Sequence, residues 1–118
     1  MRRRAAATVL ATAFLLLMGV TASTGFAGNA LHIAGKEFAF DPPRVTAKVG
    51  EKLEIVFEND GAMSHNLSFK SLDGGTKTIQ KGETARFAVT PDSPGEYTYI
   101  CTVPGHAQAG MKGTLVVE

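Results

Sequence analysis

Tryptophan is absent from the 118 residues, cysteine occurs once and histidine only three times. A single thiol excludes an internal disulfide framework and any zinc motif built on cysteine pairs. It equally excludes a dinuclear copper centre with two thiolates, and His32, His65 and His106 are too few for a trinuclear cluster built from imidazoles. Charge of one sign is also lacking: twelve Lys+Arg face eleven Asp+Glu, without a concentrated basic stripe. Nucleic-acid binding through counterion release therefore has no footing, and no nucleic-acid partner is expected. Hydrophobic residues at 44% and charged ones at 19% still give ordinary globular composition, enough for one domain.

What is there divides at residue 27. Arg2, Arg3 and Arg4 precede an uncharged, mostly apolar run from Ala5 to Val20, and small residues follow through Ala27. This is the three-part layout of a secretory signal peptide. The apolar run is shorter than the roughly 20 residues that a spanning helix prefers, which disfavours an uncleaved anchor. Cleavage is expected after Ala27, with Ala22 the second small-residue site, and no cysteine lies near either to carry a lipid. The expected organisation is a leader at 1–27 and one domain at 28–118, exported to a periplasmic or extracellular place. The mature chain then carries nine basic and eleven acidic residues. Cys101 becomes a lone thiol in a disulfide-permissive compartment, which points to something that occupies the sulfur.

Short alternating runs fill the rest. Leu53, Ile55 and Phe57 share one parity against Lys52, Glu54 and Glu58; Ala85, Phe87 and Val89 repeat the pattern, as do Tyr97, Tyr99 and Cys101, and then Leu115 and Val117. Leu31–Ala34, Phe38–Phe40, Arg44–Lys48 and Asn66–Phe69 are shorter candidates. Turn chemistry separates them at Pro42-Pro43, Val49-Gly50-Glu51, Asn59-Asp60-Gly61, Asp73-Gly74-Gly75 and Pro91–Gly95. Seven or eight such strands predict an all-β fold, a Greek-key antiparallel β-sandwich.

Chemistry gathers late in the chain. Cys101, His106 and Met111 lie within eleven residues, on a loop between the last two strands, and His65 starts another strand after the Asn59–Ser64 turn. Alone, each of these would read as core or surface filling. Together, one thiolate, two imidazoles and one thioether form the donor set of a blue-copper electron-transfer site, with His65, Cys101 and His106 as the strong ligands and Met111 as a weak axial one. Zinc is the weaker reading, because it favours closed tetrahedral sites and rarely takes a thioether. His32 has no such company and is expected on a strand surface.

On these residues the chain resembles the cupredoxins, the small blue copper proteins of plastocyanin and azurin type. The likeness spans residues 29–118: Phe40-x-Pro42, Val45-x-Ala47-x-Val49-Gly50, Phe57-x-Asn59, His65-Asn66, Gly95-x-Tyr97-x-Tyr99-x-Cys101 and Gly113–Val117. The end of the ligand loop, His106-x-x-Ala109-Gly110-Met111, looks like plastocyanin, while the Cys-x4-His spacing looks like azurin. The resemblance implies that Asn66 donates its backbone N–H toward the Cys101 sulfur and ties two loops with its side chain. It also implies an edge of His106 near the surface, inside an apolar docking patch that Ala62, Pro104, Ala107 and Ala109 would supply, with Met63 beside them.

The expected function is that of an exported type 1 copper protein with one copper ion, a one-electron carrier between a redox donor and acceptor, with no catalysis of its own. A monomer is expected, touching a membrane only transiently or through an uncleaved leader. The alternative is a copper module for storage, delivery or resistance. A copper oxidase or nitrite reductase needs a second site that His32 alone cannot build, and no oxyanion-hole motif supports a Cys–His hydrolase.

Overall fold

In the computed structural model, residues 29–118 are described; the leader expected at 1–27 lies outside them. The alternating runs become eight strands: β1 (Asn29–Lys36), β2 (Ala39–Asp41), β3 (Arg44–Ala47), β4 (Leu53–Asn59), β5 (Ser68–Phe69), β6 (Thr84–Val89), β7 (Gly95–Ile100) and β8 (Lys112–Val117). They form two four-stranded sheets, ordered β2-β1-β4-β6 and β3-β8-β7-β5. The all-β sandwich is as the sequence predicts.

Strand direction differs from the antiparallel expectation in two pairs. β1 runs parallel to β4, with Leu31 opposite Ile55 and Ile33 opposite Phe57, and β3 runs parallel to β8. The cause is topological. After β2 the chain crosses to the other sheet for β3 and returns for β4, so β4 enters beside β1 by a crossover and not by a hairpin. Both sheets are therefore mixed.

Period-two patterning sets the core. Leu53, Ile55, Phe57, Tyr99 and Leu115 are fully buried, each contributing about 1.5–3 kcal/mol by leaving water. Five rings link the layers through four edge-to-face contacts: Phe57 to Phe40, Phe40 to Tyr99, Tyr99 to Phe69 and Phe69 to Phe87, with centroids 5.1–6.0 Å apart. Gly113, opposite Tyr99 in the β7–β8 register, has to be glycine, because a methyl group there would overlap the Tyr99 ring. No helix among the described residues is long and apolar enough to cross a membrane.

Candidate metal centre

β4 ends at Asn59, whose fully buried side chain organises the loop beyond it. Its amide donates to the carbonyls of Met63 (2.8 Å) and Ile79 (3.0 Å), and its carbonyl accepts the Gly61 N–H (2.9 Å). The loop so held delivers His65, whose backbone N–H donates to the Ile79 carbonyl (3.1 Å) and whose carbonyl accepts the Ile79 N–H (2.9 Å). The second loop leaves β7 at Cys101 and is closed on itself. Cys101 N–H donates to the Met111 carbonyl (3.2 Å), Met111 N–H to the His106 carbonyl (3.0 Å), and His106 N–H to the Val103 carbonyl (3.1 Å). Gly105 and Gly110 bend it with φ of 85° and 114°, a region that favours glycine.

These two loops bring three donors face to face. His65 Nδ1 and His106 Nδ1 are 3.1 Å apart, and Cys101 Sγ lies 3.5 Å from His106 Nδ1 and 3.9 Å from His65 Nδ1. A point inside this triangle sits about 2 Å from all three atoms, close to the bond lengths that transition metals form with imidazole nitrogen and thiolate sulfur. His65 and Cys101 are fully buried and His106 nearly so. Burial pushes the His65 imidazole below its ordinary pKa, Glu37 opposing and His106 reinforcing the shift, and the neutral ring that results is the form a metal takes. Met111 is fully buried at the end of the same loop, and Gly35 leaves room beside it: a methyl there would sit 3.4 Å from Met111 Cε and collide with the Phe57 ring.

Asn66 bridges the loops. Its backbone N–H points at Cys101 Sγ (3.5 Å), its amide donates to Thr78 Oγ1 (2.9 Å) and Thr102 Oγ1 (2.8 Å), and its carbonyl accepts the Thr102 N–H (2.8 Å). Ala62, Pro104 and Ala109 are exposed and Ala107 is half-buried. His32 lies exposed on β1, outside the donor cluster.

Two neighbours of the cluster escape a reading of the sequence. Glu37 Oε1 stands 3.5 Å from His65 Nε2, and Phe38 packs edge to face on His106 with centroids 5.3 Å apart. His106 as a whole is consequently only 3% exposed, whereas Phe38, expected in a strand, is 40% exposed in the β1–β2 turn. Gly35-Lys36-Glu37 carries a turn signal, but nothing in its spacing ties that turn to residues 65 and 106.

The family model for the cupredoxin-like domain matches residues 8–117. Amicyanin-alpha of Methylorubrum extorquens is 31% identical over 118 residues, covering 97% of this chain and 93% of that protein. The copper-resistant cuproprotein CopI of Rubrivivax gelatinosus is 25% identical over 98 residues, 67% of this chain and 59% of CopI. The chain spans less than two thirds of the length of several curated relatives, down to 18% of an auracyanin-B from Chloroflexus aurantiacus. Among solved structures, the dithionite-reduced auracyanin of Roseiflexus castenholzii superposes with a TM-score of 0.72 at 24% identity, covering 78% of this chain and 98% of that one, a likeness of fold.

Proposed function

The chain belongs to the cupredoxin-like domain family, and from that premise we propose that it is a small exported copper protein that carries single electrons between redox partners. The observation that carries this reading is the buried triangle of Cys101 Sγ, His65 Nδ1 and His106 Nδ1. Copper, when bound, supplies a one-electron Cu(II)/Cu(I) couple. The thiolate suits the reduced ion and the imidazoles accept both states, while Met111 is assigned the weak axial place. Donors fixed by the Asn59, Asn66 and Cys101–Met111 hydrogen bonds move little when the charge changes. Low rearrangement of this kind is what a carrier needs.

Exchange of electrons is assigned to the end of the sandwich that holds the cluster. Among the described residues three large apolar side chains are exposed, Phe38, Val49 and Met63, and two of them border the site. With Ala62, Pro104, Ala107 and Ala109, Phe38 and Met63 offer small and apolar groups that a redox protein can approach with little charge to desolvate. An absorption spectrum of the Cu(II)-loaded protein tests the reading. An intense thiolate-to-copper band in the visible is expected, and bound copper without colour would overturn it.

The likeness to CopI supports a second reading, copper handling in resistance. Against it, the only methionines after residue 27 are Met63 and Met111, and the donor set is closed and buried. Transfer of copper to an apo acceptor, measured beside the rate of reduction by a cytochrome, separates the two. Fast reduction without copper release is expected.

A further inference from the structure

We propose that the β1–β2 turn is a third arm of the metal centre, a clamp in which adjacent residues grip one imidazole each: Glu37 sets the tautomer of His65, and Phe38 sets the orientation of His106. This rests on the reading of the cluster as a copper site. The two residues are neighbours in sequence, and in an extended strand neighbouring side chains point to opposite faces. Phe38 breaks that rule with φ of 60°, a left-handed conformation that bulky residues rarely adopt and that persists only where surrounding contacts demand it. The bend allows both side chains to reach the same end of the sandwich.

Glu37 is anchored for the purpose. Its Oε1 accepts the Met63 N–H at 3.0 Å, which fixes where the carboxylate stands. The same oxygen faces His65 Nε2 at 3.5 Å, beyond an ordinary hydrogen bond, and this buried nitrogen makes no hydrogen bond among the described residues, so Glu37 is the acceptor standing nearest to it in the structure's ion pairs. Gly61 makes the slot: a methyl group there would overlap Glu37 Oε1 and lie 2.9 Å from His65 Nε2. A carboxylate at Nε2 keeps the proton on that atom and leaves the Nδ1 lone pair free to face Cys101 and His106. Its negative charge also favours the more highly charged metal state. Phe38 completes the grip, its ring against His106 and its carbonyl beside Gly110 of the ligand loop.

The test has a metal-free and a copper-loaded arm. Nitrogen NMR of the apo protein, at a pH where the imidazoles are neutral, should show His65 as a single Nε2–H tautomer. Glu37→Ala should release it into a mixture, and Glu37→Gln, which keeps an acceptor, should hold it. Phe38→Ala should leave the His65 tautomer alone and broaden the His106 ring signals. With copper bound, Glu37→Ala should lose about ten- to a hundredfold in Cu(II) affinity and raise the reduction potential. Glu37→Gln should raise the potential while losing less affinity. An unchanged tautomer and potential in Glu37→Ala, with the blue band intact, overturns the Glu37 grip and leaves the copper reading standing. Unaltered His106 signals in Phe38→Ala overturn the Phe38 half. A locked tautomer in a protein that binds copper without colour overturns the copper reading instead.

Discussion

Met111, assigned the weak axial place, is the side chain whose replacement should shift the redox balance without dismantling the cluster. It is fully buried, and its backbone closes the ligand loop through Cys101 and His106, so a side chain of similar length preserves the frame. Met111→Gln exchanges a soft thioether for a harder oxygen, which favours Cu(II). The colour should persist and the potential should fall, as read by redox titration; an unchanged potential would mean that Met111 only fills the core. At this scale the grouping of Cys101 with His65 and His106 was legible because such residues are scarce: the single thiol shares a loop with one of three histidines. Glu37 and Phe38 were not legible. Their contacts with His65 and His106 span 28 and 68 residues and arise only when the β1–β2 turn folds over the ligand loops.

Elements hold those donors, and the Asn59–His65 loop depends on one amide. Asn59→Ala removes two donated hydrogen bonds and one accepted, and it leaves the Ile79 and Met63 carbonyls and the Gly61 N–H without that partner. A loss of about 2–4 kcal/mol is expected. The midpoint of denaturant unfolding, with and without copper, measures it, and a loss under 0.5 kcal/mol would show that the loop keeps its shape by other means. Tyr99 on β7 offers a pH test. Burial pushes its phenol up to about 12 from an ordinary 10.0, so the folded state favours the protonated form. That stability is complete below pH 10 and is lost as pH rises through the folded value. Tyr99→Phe should therefore flatten the alkaline decline in melting temperature between those values, and an equally steep decline would remove Tyr99 as its cause. Strand positions and inward faces were readable from period-two alternation. Direction was not, because alternation is the same whether a neighbour runs parallel or antiparallel, and it is the crossover between sheets that decides.

For the whole molecule, what matters is which end meets a partner. The donor cluster lies at the end of the sandwich where Phe38 and Met63 are exposed, and His106 itself is almost closed off by Phe38. A partner approaching this end would touch small and apolar groups first, among them the exposed Ala109 on the ligand loop. Ala109→Glu places a solvated carboxylate in that contact. Burying it without a partner costs more than the ~1–3 kcal/mol of a neutral polar group, so electron transfer should slow by roughly tenfold or more. The potential should barely move, because Ala109 is no ligand, and unfolding should be unaffected, because the side chain is exposed. Stopped-flow rates with a cytochrome, paired with a redox titration, decide the matter. A placement at the His106 end requires that the slowing persist at high salt, where long-range repulsion is screened but desolvation remains. Slowing that vanishes with salt would reduce Ala109 to a source of charge steering, and an unchanged rate at every salt concentration would move the electron port away from this end.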